Sequence, residues 1–148
     1  MAKLDPDSVT ITRAEPGDRL GDYTAWRLSE AGGLTQFGAL IEELAPGSSS
    51  SDRHWHSDED ELLYMLSGEA VLVEDAGEAP LYPGDCCAWP KGVANGHRIE
   101  NRSDAPCRYL VVGTRSPDDT VTYTTEDKIL TKRNFVKTLT RKDGSPLG

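Results

Sequence analysis

The chain is short of several things that would assign it to a class at once. No apolar run approaches the roughly 20 residues that a membrane helix needs. The opening stretch, MAKLDPDSVTITRAEPG, lacks the apolar centre of a secretory leader, so a cytoplasmic protein is expected. Cysteine is scarce and odd in number: three residues, of which Cys86 and Cys87 are adjacent. Neighbours on a strand point to opposite faces, so these two are badly placed to bridge each other. No CxxC spacing is present, and buried free thiols in a reducing compartment are the expectation. Basic residues are outnumbered 16 to 25, giving a formal charge of −9. That balance argues against a nucleic-acid surface covering the whole protein. Histidine is as scarce as cysteine, and all three (His54, His56, His97) fall between Gly47 and Asn101.

What is present reads as β-structure. At 148 residues the chain can bury a substantial core without disulfides, and one domain spanning 1–148 is expected. A hydrophobic share of 36%, with 14 glycines and 9 prolines, suits many short strands and turns better than a helical bundle. Strand patterns cover 8–14, 22–31, 34–47, 53–56, 62–66, 69–75, 79–85, 86–89, 96–101, 107–114 and 121–125. The segment 34–47 has a helical composition in its second half, but the alternation of Phe37, Ala39 and Ile41 favours a strand. Residues 128–140 read as a last strand or an irregular arm. These short strand patterns, punctuated by turn signals every 8–12 residues, point to an all-β sandwich or barrel. A central core over about 34–115 would carry N-terminal strands (8–30) and a C-terminal arm (116–148).

The chemistry concentrates in GSSSSDRHWHSDEDELLYMLSG and GDCCAWPKGVANGHRIEN. His54 and His56 are two apart, so on a strand both leave the same face. Glu61 follows after an acidic turn, and His97 comes 36 residues later in another strand-like segment. Three imidazoles and a carboxylate suit a divalent transition metal with coordination positions left open. A lone histidine is more often a surface or hydrogen-bonded residue; the joint spacing is what carries the reading. Asp58, Glu59 and Asp60 compete for the ligand role. The spacing to Gly68 favours Glu61, leaving the other three as a solvated turn. If Glu61 faces inward, Leu63 and Met65 share its face; Ile99 shares that of His97, and Trp55 faces out. Arg53, Tyr64, Cys86, Trp89 and Arg98 are candidates to support the ligands, and Asn101 to tie down backbone. No histidine is left over as a general base, so a proton would have to move through a carboxylate, a tyrosine or metal-bound water.

The words Gly47-x6-His54-x-His56-x4-Glu61-x6-Gly68 and Gly84-x5-Pro90-x-Gly92-x4-His97-x3-Asn101 resemble the two signatures of the cupin superfamily. Both are slightly stretched, before His54 and before His97. The chain looks most like short single-domain bacterial cupins with the same HWH and NGH words, some of whose relatives carry sugar-phosphate isomerase labels. The resemblance implies a double-stranded β-helix, a jelly-roll barrel. It also implies that His54, His56, Glu61 and His97 hold the metal inside it.

Two functional classes follow. One is a metalloenzyme acting on a small, oxygen-rich substrate: iron would suggest a dioxygenase, and manganese, nickel or zinc an isomerase, lyase or decarboxylase. The other is a non-catalytic binder or sensor of a small molecule. Either would accompany a homodimer, with Trp55 and Tyr64 exposed. The run from Lys128 to Lys142 holds six basic residues and no acidic one, and reads as a strap laid against the acidic body rather than a nucleic-acid tail.

Overall fold

The computed structural model describes residues 3–147. After a 3-10 turn at Pro6–Ser8 the chain alternates short strands with tight turns. In order these are β1 (Thr10–Arg13), β2 (Tyr23–Arg27), a single helical turn α1 (Leu28–Ala31) and β3 (Phe37–Leu44). There follow β4 (His54–His56), β5 (Glu61–Ser67), β6 (Ala70–Glu74), β7 (Gly77–Leu81), β8 (Cys86–Trp89) and β9 (His97–Glu100). The last four are β10 (Cys107–Thr114), β11 (Asp119–Tyr123), β12 (Ile129–Arg133) and β13 (Val136–Thr140). All pairings are antiparallel. One sheet has the order β1-β2-β3-β10-β5-β8, the other β13-β12-β11-β4-β9-β6-β7.

The described residues form thirteen strands, and the one that the sequence did not foresee is the second arm of a hairpin. Residues 128–140 are neither one strand nor an irregular arm but a hairpin, β12–β13. Its turn puts Asn134 and Phe135 at φ 47° and 65°, the two left-handed positions a tight hairpin requires. Asn-Phe lacks the glycine that normally announces such a turn. The segment 76–78, read as turn, already pairs with β6 from Gly77 onward. The strand expected over 22–31 stops at Arg27. The Leu-Ser-Glu-Ala that follows closes one helical turn, with Gly32 N–H donating to the Leu28 carbonyl and Arg115 clamping Glu30. The ambiguous 34–47 segment is a strand.

The strand period decides what faces inward. On β5, Leu63 and Met65 are buried while Leu62, Tyr64 and Leu66 are exposed. With Leu44, Tyr109 and Cys107 from the same sheet and Ala70, Leu81 and Ile99 from the other, they form one core. Each large apolar side chain there stabilises the fold by roughly 1.5–3 kcal/mol relative to exposure. Gly68, after β5, has φ +76°, and a Cβ there would meet the Pro106 carbonyl oxygen at 2.5 Å. Only glycine lets the chain pass that close to β10. Asn101 ties backbone as expected: its amide donates to the Leu44 and Ala105 carbonyls, and its oxygen accepts from Ser103. The outer face of the six-stranded sheet carries an apolar row in direct register, Ile11, Trp26, Ile41, Leu110, Tyr64 and Cys86. The cysteines are free, but only Cys107 is buried; Cys86 is exposed, against expectation. No helix among the described residues is long and apolar enough to cross a membrane.

Candidate metal centre

The four sequence candidates converge. Trp55 separates His54 from His56 on β4, so both imidazoles leave its inner face, and His97 on β9 pairs directly with His54. Glu61 opens β5 on the opposite sheet, on the same face as Leu63. One ligand atom from each of His54, His56 and Glu61 lies within 4.8 Å of the others. Glu61 Oε2 stands 3.6 Å from His56 Nε2 and 3.6 Å from His97 Nε2. These separations are long for hydrogen bonds. They match donors that share one ion, since ligands about 2.0–2.2 Å from a metal sit roughly 3–3.5 Å apart.

Each ring is held from behind. His54 Nδ1 lies 2.8 Å from the Asp52 carbonyl, and His56 Nδ1 lies 2.7 Å from Asp119 Oδ2. Both contacts leave Nε2 free to face inward. His97 is 3% exposed, and neither of its nitrogens has a hydrogen-bond partner among the described residues. Its ring is fixed by stacking on Trp89, with centroids 3.8 Å apart and planes 10° apart. The Trp89 indole N–H in turn donates to Glu74 Oε1 at 2.7 Å. A buried imidazole with no partner costs free energy unless something occupies its lone pair. The donor set therefore fits a divalent ion. Burial lowers the pKa of His54, favouring the neutral ring a metal needs. Burial opposes ionisation of Glu61, but the facing histidines outweigh it and hold the carboxyl below its ordinary range.

Other expectations are corrected. Tyr64 and Cys86 sit on the outer face, Tyr64 43% exposed, and support no ligand. Arg53 turns to the Glu74 carbonyl and Asp75, and Arg98 pairs with Glu100 along its own strand. Trp55 is half-buried rather than exposed. Of the acidic turn, Asp58 and Asp60 are exposed, but Glu59 is not solvated: it bonds Lys132 and the Ser116 N–H. Glu59, His56 and Asp119 form a second group of possible ligand atoms. The Lys132 ammonium already supplies the cation at Glu59, so Asp119 reads better as the group that orients His56.

Several residues of the site were missed in the sequence. Asp119, 1% exposed, accepts from the Asp58 N–H as well as holding His56, and lies 63 residues beyond it. Asp52, whose carbonyl anchors His54, is clamped by Arg19 at 2.5 Å and Lys128 at 2.6 Å. The Arg19 hydrogen bond, with Lys128 behind it, holds the Asp52 carboxyl at about 2. Glu42 and Tyr109 line a small interior cavity of about 150 Å³ beside His54, Glu61 and His97. Tyr109 donates to Glu42 at 2.6 Å, and burial raises the Glu42 pKa. Beyond the ligands a larger cavity of about 450 Å³ opens to solvent, lined by His56 and Glu61 at its floor and by Arg27, Arg115, Lys132 and Lys137 around it.

Residues 40–113 match the family model described as Cupin domain. The chain is a cupin. The crystal structure of a sugar phosphate isomerase of the cupin superfamily from Silicibacter pomeroyi aligns with a TM-score of 0.89 at 45% identity, covering 99% of this chain and 96% of that one. The two-sheet architecture is thus the double-stranded β-helix expected from the signatures. Among curated proteins, the tetracenomycin polyketide synthase protein TcmJ of Streptomyces glaucescens is 32% identical over 104 residues, 69% of this cupin and 67% of TcmJ. The oxalate-binding protein of Thermotoga maritima is 36% identical over 70 residues, 47% of this cupin. The cupin spans 55% of that protein's length. Cupins commonly bind divalent metals, and the cluster around His56 is one that could hold such an ion.

Proposed function

We propose that this cupin is a divalent-metal enzyme of the isomerase kind, acting on a small, oxygen-rich metabolite. The observation that carries the reading is the partnerless, buried His97 facing Glu61, His54 and His56 beside an open cavity. His54, His56, Glu61 and His97 would hold the ion, with manganese, iron, nickel and zinc all compatible with three imidazoles and a carboxylate. When bound, the metal supplies Lewis acidity for a substrate carbonyl or hydroxyl. The protein's own groups do the rest. Asp119 holds the His56 ring, Trp89 holds that of His97, and the apolar walls of Leu40 and Val111 limit water. Glu42, kept in place by the Tyr109 hydroxyl, is the carboxylate available to take a proton from one carbon and return it to the next. The name of the Silicibacter relative, aligned over nearly the whole chain, supports isomerisation over oxygen chemistry.

The experiment is metal-loaded protein incubated with a panel of aldose and ketose phosphates and followed by NMR. Interconversion is expected. Glu42→Gln should cut turnover by about 10²–10⁴-fold with metal content unchanged. A second reading, binding without catalysis, is favoured by the name of the Thermotoga relative. It predicts saturable binding of a panel member with no turnover. Two accompanying elements belong to the same proposal. One is a homodimer formed through the apolar outer row that contains Tyr64. The other is a cytoplasmic setting, which suits three free thiols.

A further inference from the structure

Carboxylates and cations line the open cavity in equal number, but their pairing is uneven. Four carboxylates line it, and each has a partner. Glu30 is paired with Arg115 at 2.5 Å, and Glu59 with Lys132. Asp60 Oδ1 accepts the Lys91 N–H at 2.8 Å, and Glu61 faces the imidazoles. Four cations also line the cavity, but among the described residues two of them, Arg27 and Lys137, make no ion pair. The hydrogen bond recorded for the Arg27 side chain is a long one, Nη2 to Thr12 Oγ1 at 3.5 Å. Arg27 ends β2 in register with Leu40 of β3, whose side chain lines the same cavity, so the guanidinium leaves the inner face of the sheet. Lys137 approaches from β13, beside Phe135, at the other side of the opening.

We propose that Arg27 and Lys137 form a subsite for a phosphate monoester, holding the anionic end of the substrate while its oxygen-bearing end meets the His56–Glu61 floor. Arg27 acts at longer range on Glu30 and Glu42, but neither it nor Lys137 is committed to an ion pair, and the guanidinium fork suits phosphate oxygens. The cavity volume lies within the roughly 300–1,000 Å³ of small-molecule sites. Arg27 and Lys137 both lie outside the stretch that matches the family model, so the subsite is an addition of the flanking strands rather than part of the signature. The orientation it imposes rests on the metal reading above; the subsite itself does not.

The test is titration of the 148-residue chain with inorganic phosphate, followed by calorimetry, in metal-loaded and chelator-stripped forms. Acetate and oxalate serve as carboxylate arms, and elemental analysis accompanies each sample. In both forms wild type should bind phosphate more tightly than acetate or oxalate. Arg27→Gln should weaken phosphate by at least about tenfold, and Lys137→Gln by a smaller factor, with metal content and melting temperature unchanged. Arg27→Lys keeps the charge, guards against a folding artefact and should fall between wild type and Arg27→Gln. Loss of phosphate binding in Arg27→Gln from a protein that never holds metal would uphold the subsite and sink the metal reading. Three results would overturn the proposal: no phosphate binding by wild type, binding indifferent to Arg27 and lost only with the metal, or acetate bound as tightly as phosphate.

Discussion

The stretch 40–113 and the strands on either side of it contribute to the cavity in different ways. The central stretch brings all four candidate donors, His54, His56, Glu61 and His97. The flanking strands bring none, yet they hold the donors and furnish the opening. Asp119 of β11 stands behind His56, Lys128 and Arg19 clamp the residue that anchors His54, and Lys132 occupies Glu59. Arg27, Arg115 and Lys137 surround the entrance. The family stretch therefore marks where a metal could bind, while the cations around the opening all come from segments that it does not cover. The basic run from Lys128 to Lys142 fits this division. Two of its lysines are laid against acidic residues of the body, as a strap would be.

That division can be broken at its most sensitive point by removing a flanking anchor and leaving every donor in place. Asp119→Asn keeps the shape but no longer holds the His56 tautomer, and metal affinity should fall about 10–100-fold. Competition against a chromophoric chelator would measure it; unchanged affinity would mean that the central stretch is self-sufficient. A smaller effect is expected at Asp52, which is 4% exposed while its Arg19 partner is 63% exposed. Its pKa is depressed in the folded state, so its contribution is complete above the ordinary carboxylate value. It is lost as pH falls from near 4 toward the folded value of about 2. Asp52→Asn should cost about 1–2 kcal/mol in urea melts at pH 7, discounted for the solvent around Arg19. The difference from wild type should vanish near pH 2. The smallest effect belongs to the hairpin turn. Phe135 carries a left-handed φ of 65° and is exposed, so Phe135→Gly should stabilise by up to about 1 kcal/mol, with metal content untouched.

The convergence of the four candidate donors was legible because a metal site demands fixed residue types on one strand face, and His54-x-His56 with Glu61 and His97 offers that pattern in plain sequence. Period-2 alternation also placed Leu63, Met65 and Ile99 inside. The same alternation puts Tyr64 with Leu62 and Leu66 on the outside, so Tyr64 and its register partner Cys86 were never available to the site. Asp119 was illegible because its role depends on β11 pairing with β4, a contact between residues 63 apart that no local pattern records. Arg27 reads as an ordinary position inside the strand expected over 22–31 until β2 is seen beside β3. The β12–β13 hairpin was hidden by a turn without glycine, and α1 by being a single turn.

The most direct test of the account is the metal content of untagged wild type beside the His54→Ala/His56→Ala double mutant. Both would be supplied with manganese, iron, nickel or zinc, dialysed and analysed for metal. The account predicts about one ion per wild-type chain and none retained by the mutant, with the folded β-sheet spectrum preserved in both. A wild type that stays empty after metal is supplied, or a mutant that retains as much metal as wild type, would contradict it.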